Sequence, residues 1–205
     1  MNPALRAQAQ TQAQAQTGAD ALSGGFADPS VQSARAFRAA LQAMSRPGSL
    51  VTMQGASPPA PLSVAAGVLM LTLADATTPV HLAGGLDCPL LRDWVTFHCG
   101  APLVAAQDAT LALGTWPDLQ PVTRFSIGTA AYPDRAATLI VEVPQLLAQG
   151  VVLTGPGIRD RAALNLPDPV VFSANHALFP LGFDTFLTCE DRLAGLPRST
   201  KIGGL

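Results

Sequence analysis

Thr154-Gly155-Pro156-Gly157, followed by Arg159, Asp160 and Arg161, sets a backbone turn beside two guanidinium groups. The apolar run Val151–Leu153 before it reads as the end of a buried strand. The two glycines can take backbone angles closed to other residues, and Pro156 fixes its own φ. Cations next to an exposed turn can hold an anion, because guanidinium groups pair bidentately with phosphate. An ordinary strand-ending turn accounts for the same residues. Arg198-Ser199-Thr200-Lys201 gathers two cations and two hydroxyls and is a second candidate for phosphate, against the alternative of a solvated C-terminal tail. The anion-binding candidates are thus Thr154, Gly155, Gly157, Arg159, Arg198 and Lys201.

Other chemistry has less to draw on. His98 and Cys99 are adjacent, and a Cys–His hydrolase built on them is the competing reading, since such partners meet in space rather than in sequence. Against it, cysteine is commonly a small buried hydrophobe, and His98 sits where a helix C-terminus would favour its charge. His81, His98, His176 and the three cysteines have no metal-ligand spacing, so no metal is expected. Pyridoxal phosphate needs a Schiff-base lysine, and Lys201 is the only lysine in the chain. Neither a P-loop nor G-x-G-x-x-G is present. Asp134, Asp160, Asp184 and Glu190 could do acid–base work, but nothing in the sequence pairs them. No catalytic residue and no cofactor are assigned.

The elements that must position these residues follow from caps and periodicity. Asp28-Pro29 starts a helix whose apolar stripe reads Ala34, Phe37, Leu41 and Met44, and Arg46-Pro47-Gly48 ends it. Leu50–Met53 is a short strand. Ser63 caps a second helix to about Ala74, apolar nearly all round and so interior. Val80–Ala83 is a strand. Asp87 caps a third helix that begins at Pro89 and runs to about Phe97. Ala109–Leu113 and Ala137–Val143 read as strands, Val170–Ala177 as a helical turn and Thr185–Cys189 as the last strand. Helices alternating with strands give an α/β fold with a mixed sheet.

Residues 1–24, rich in Ala and Gln, lack large apolar groups between Leu5 and Leu22 and are expected to be a disordered tail. Residues 25–205 form one domain. Only 13% of the chain is charged, about half the usual share, and 48% is apolar, so part of the surface is expected to be covered by partner subunits. A net charge of −2 offers no footprint for nucleic acid. An odd number of cysteines argues for a reducing compartment, and no run approaches the roughly 18 apolar residues of a membrane span. A cytoplasmic protein that does not enter the membrane is expected.

Several stretches together resemble a known family: Gly25-Phe26, Asp28-Pro29, Arg46-Pro47-Gly48, Phe97-His98 with Gly100-Ala101-Pro102, Tyr132-Pro133-Asp134, Leu153–Ile158, Phe179-Pro180-Leu181-Gly182 and Leu196-Pro197-Arg198. In this order and spacing they are similar to the PhnH family, a subunit of the bacterial carbon–phosphorus lyase system for phosphonate use. The resemblance spans about residues 24–202. It implies a three-layer α/β fold related to the pyridoxal-phosphate-dependent transferases, without the cofactor site. It also implies partnership with the G, I and J subunits, with a homodimer formed in isolation. The activity implied is that of a complex that makes α-D-ribose 1-methylphosphonate 5-triphosphate from ATP and methylphosphonate and releases adenine. The ligand implied is an anion, either ATP or a phosphonate. The family has no agreed catalytic residues to carry over.

Overall fold

The computed structural model describes residues 22–203. In chain order the elements are α1 (Pro29–Ser45), β1 (Val51–Thr52), α2 (Val64–Leu73), β2 (Val80–Leu82), α3 (Pro89–Cys99), β3 (Leu111–Thr115), β4 (Thr138–Glu142), β5 (Val151–Thr154), β6 (Ala162–Leu164), α4 (Pro169–Ala177), β7 (Asp184–Cys189), β8 (Arg192–Leu196) and β9 (Lys201–Gly203). Residues 1–21, most of the expected tail, lie outside the described residues. Ser23 and Gly24, also assigned to that tail, are tied to the fold: the Ser23 carbonyl accepts from Trp94 Nε1, and the Gly24 carbonyl accepts from the Ser57 amide.

Helix α2 carries no charge and is buried from Ala65 through Met70. The Ser63 hydroxyl accepts the Ala66 N–H and caps its start, as its residue type predicts. A helix with no polar face must be covered on all sides. Helices α1 and α3 pack on it, and the sheet lies beneath it at β7.

The main sheet runs β1-β8-β7-β4-β3-β2. Strands β2, β3, β4 and β7 are parallel, and β8 is antiparallel to both neighbours. Side chains alternate across it with the two-residue strand period. Leu111, Leu113, Ile140, Phe186 and Leu193 join the core under α1–α3. Ala112, Leu139, Val141, Leu187 and Ala194 join a second core on the opposite face, with Trp116 and with Phe172 of α4. That second core also takes Leu153 and Leu164 from a small antiparallel sheet, β6-β5-β9. Both faces of the parallel strands are therefore covered, which is why they read as unbroken apolar runs. The α/β class with a mixed sheet is as expected.

Five features depart from the reading of the sequence. On α1 the core-facing residues are Ala36, Ala40 and Ala43, while Phe37 and Leu41 are 48% and 54% exposed. The reason lies in β8: a Cβ placed on Gly195 would stand 2.6 Å from the Ala43 carbonyl carbon. Only a methyl stripe lets the helix backbone approach so closely. Strand β8 itself was not anticipated. It pairs with β7 through the two-residue turn Glu190-Asp191, where Glu190 has φ 53° in place of the Gly or Asn such turns usually carry. Strand β6 was not anticipated either, and β9 begins at Lys201, where a solvated C-terminal tail was one of the two readings. Finally, Asp87 is not the cap of α3. Cys88 holds that position without a side-chain bond, and Asp87 instead chelates Arg92 through both carboxylate oxygens. The segment read as a helical turn near 170–177 is the full helix α4, capped by Asp168.

Filling the α1–β8 contact should be costly. Gly195→Ala is expected to destabilise the chain by about 1–3 kcal/mol, the usual range for overpacking a tight contact, in urea unfolding followed by circular dichroism. Unchanged stability would mean that the helix is not held at this distance.

Candidate functional site

The first candidate is the Gly-Pro-Gly turn. Strand β5 delivers it, and β9 pairs antiparallel beside it with Thr154 opposite Lys201. Gly155 has φ +124°, and a Cβ there would lie 3.2 Å from the Ser199 carbonyl oxygen. Gly157 has φ +81°, and its Cβ would collide with the Ser45 carbonyl oxygen at 2.0 Å. The turn thus threads between the end of α1 and the start of β9, and both glycines serve that passage. The Ile158 N–H donates to the Gly155 carbonyl and closes it. The Arg159 side chain is 98% exposed, with Asp160 no nearer than 4.0 Å. Lys201 is also exposed. The structure therefore brings Thr154, Gly155 and Lys201 together, with Gly157 and Arg159 just beyond.

Arg198 has another task. Its Nε and Nη2 donate to the two oxygens of Asp184 at 3.1 and 2.7 Å, and its own backbone N–H reaches the same carboxylate at 2.9 Å. Nη1 donates to the Pro133 carbonyl at 2.8 Å. This guanidinium, 12% exposed, clamps the start of β7 to the Tyr132–Arg135 turn. Most of its donors are committed, which corrects its placement among residues open to an anion. Asp184, read as an acid–base candidate, is its partner.

His98 and Cys99 point to different partners. The His98 Nε2 lies 3.2 Å from the Ser23 carbonyl oxygen, and the ring packs between Trp94 and Phe97. Cys99 Sγ turns into the core toward the Met70 carbonyl, and burial pushes its thiol up to about 12. A thiol so reluctant to ionise is a poor nucleophile, so the hydrolase reading loses its catalytic pair. Among the described residues no group of three His, Cys, Asp or Glu side chains could hold a metal ion.

Sequence reasoning passed over Glu142. It ends β4 at the C-terminal edge of the parallel strands, the edge where open α/β sheets bind ligands. An open cleft of about 630 Å³ there is lined by Thr115, Trp116, Glu142, Val143 and four prolines, Pro61, Pro117, Pro144 and Pro167. The Glu142 carboxylate accepts the Ser63 N–H at 2.8 Å and the Thr188 hydroxyl at 3.0 Å. Burial raises its pKa above the ordinary value, against the pull of these bonds. Proline lacks an N–H, and a carboxylate repels phosphate, so this cleft is a poor host for an anion. The only signal in the sequence was a lone carboxylate at the end of an apolar strand.

This geometry belongs to an α/β protein that carries basic turns on its surface and uses half-buried ionic groups as structural clamps. Residues 24–203 match the family described as "Bacterial phosphonate metabolism protein (PhnH)". The chain belongs to this family, as its ordered motifs indicated. It is 37% identical over 191 residues to the alpha-D-ribose 1-methylphosphonate 5-triphosphate synthase subunit PhnH of Rhizobium meliloti (strain 1021). That match covers 88% of this chain and 94% of the relative.

Two outcomes separate clamp from surface. Arg198→Ala is expected to cost about 3 kcal/mol, because it strands the half-buried Asp184 carboxylate, whereas Arg159→Ala leaves urea stability unchanged. Equal effects would contradict the assignment. Glu142 gives a pH signature. Its folded-state pKa lies above the unfolded one, so the native state holds the extra proton and stability falls as pH rises through the folded value. Urea unfolding from pH 4 to pH 8 should show this decline in the wild type and lose it in Glu142→Gln.

Proposed function

We propose that this chain is the corresponding subunit of an α-D-ribose 1-methylphosphonate 5-triphosphate synthase. In this reading it works with the G, I and J subunits of the bacterial carbon–phosphorus lyase system and performs no chemistry by itself. The observation that carries the reading is a family match along nearly the whole folded chain, in a structure where Arg198, His98 and Glu142 are spent on structural contacts. Arg198 is held by Asp184, His98 by Ser23, and Glu142 by Ser63 and Thr188. The fold is taken to derive from the pyridoxal-phosphate-dependent transferases. In keeping with a lost cofactor site, the sole lysine, Lys201, opens an edge strand of the small sheet.

The assembled complex would convert ATP and methylphosphonate to the ribose triphosphate product, with adenine leaving. Where this subunit meets an anionic substrate, the turn around Thr154 and Gly155 is the contact we favour. There Lys201 and Arg159 are exposed, and Arg159 lacks a close ionic partner. Arg198 is left out of that set for the reason given above.

The test is a reconstitution. Adenine release from ATP plus methylphosphonate should be absent with this chain alone and should require it when the other synthase subunits are present. Arg159→Ala combined with Lys201→Ala should weaken ATP or methylphosphonate binding by the complex about tenfold in calorimetry. Turnover by the isolated chain, or full synthase activity without it, would overturn the subunit reading. Unchanged calorimetry would overturn the anion contact.

A further inference from the structure

The residues that the fold turns outward on α1 remain unexplained by anything above. Val31, Phe37 and Leu41 are 43%, 48% and 54% exposed, and Ala34 lies between them on the same side. Spacings of three and four place them in one stripe along the helix. Between Val31 and Leu41 the stripe runs about 15 Å at 1.5 Å per residue. The exposure is enforced, because the close approach of Ala43 to Gly195 admits only the alanine face to the core. The large apolar side chains therefore cannot be buried by rotating the helix.

Two surface basins lie along the same helix, and one of them takes in Leu41 of the stripe. One, of about 290 Å³, is lined by Gln32, Arg35, Thr52 and Gly55 among others. The other, of about 490 Å³, is lined by Arg38, Leu41, Gln42, Ser45 and Arg46. No aspartate or glutamate occurs between Asp28 and Asp75. The helix thus offers Arg35, Arg38 and Arg46 with no carboxylate of its own beyond its N-cap. The elements packed against it add little negative charge. Beyond β1 and β8 lies the Glu190-Asp191 turn, next to Arg192, and at the far end Gly157 seats the turn that carries Arg159, Asp160 and Arg161. In a chain of net charge −2 this is a locally cationic strip.

We propose that the outward face of α1 is the docking surface for a different polypeptide, one that presents an apolar groove rimmed by carboxylates. Resting on the subunit reading above, the proposal takes that polypeptide to be another subunit of the same synthase. Charge selects against a second copy of this chain. Packing two α1 ridges together would bring Arg35 and Arg38 against themselves with no carboxylate to pair them, and such like-charge contacts are how interfaces reject wrong partners. An amphipathic helix laid into a groove, with anchors three and four residues apart, is a standard recognition mode. Phe37 and Leu41 are the central anchors, and Arg35 and Arg38 form the neighbouring row along one side of them.

The experiment uses the full chain co-expressed with the remaining synthase subunits, captured on an affinity tag carried by one of them. Phe37→Asp with Leu41→Asp should lose capture, with affinity falling at least 100-fold. Arg35→Glu with Arg38→Glu should weaken it about tenfold or more and reduce its salt dependence. Both variants should keep wild-type thermal unfolding, since the four side chains lie outside the core. Phe179→Ser, which alters an exposed apolar residue elsewhere (58% exposed), should be captured normally. If the wild type itself is not captured, the subunit reading fails. If the wild type is captured and both α1 variants are captured equally well, the α1 proposal fails while the subunit reading stands. If light scattering shows a wild-type dimer that the α1 variants abolish without loss of capture, the occupant is a second copy and the proposal is overturned.

Discussion

Helix α1 lies against β8 with little more than alanine methyls and a glycine between their backbones. Much of the molecule follows from that closeness. It sets the rotation of the helix, since a Cβ on Gly195 would fall on the Ala43 backbone, and it thereby presents Phe37 and Leu41 to solvent. It also fixes the end of the helix, where the Ser45 carbonyl stands so near Gly157 that only glycine fits. The Gly-Pro-Gly turn is seated by the same element that carries the exposed stripe. The two surface features of this subunit thus share one mechanical origin.

The second organising device is electrostatic. With only 13% of residues charged, the chain spends several of its ions on tying segments together. Arg198 donates from its backbone and side chain to Asp184 and from Nη1 to the Pro133 carbonyl, and so joins the exit of β8, the entry of β7 and the turn at Tyr132. Glu142 joins β4 to the start of α2 through Ser63 and to β7 through Thr188. Half-buried charges persist only when their hydrogen-bonding capacity is met, and in both cases backbone and side chain together meet it. What is left exposed is mostly cationic on the α1 side, and this gives the face its selectivity.

The contrast between Arg198 and Arg159 shows how little residue type alone says of a site. Both are arginines beside turns in family motifs, and both were equal candidates for an anion. A carboxylate fourteen residues away in sequence consumes one, and the other stays exposed with only Asp160 at 4.0 Å beside it. Cys99 makes the same point. Its neighbour His98 belongs to a different contact, and the partly buried thiol packs against the core next to α2.

Local physics made part of this protein legible. Asp28-Pro29 and Ser63 announced their helices, because capping is satisfied within a few residues of chain. The uniform apolarity of α2 announced an interior helix, and the apolar runs at β4 and β7 announced strands. The ordered motifs pointed to the family. Tertiary structure alone decided the rest. It chose an alanine stripe over the larger apolar stripe on α1, because closeness to Gly195 outweighed side-chain area. It paired β8 through a glutamate in a left-handed turn, and it made edge strands of β6 and β9, which have no periodicity long enough to read. It also assigned each ion its partner. Such choices depend on what lies opposite in space, and neighbours in sequence carry no record of that.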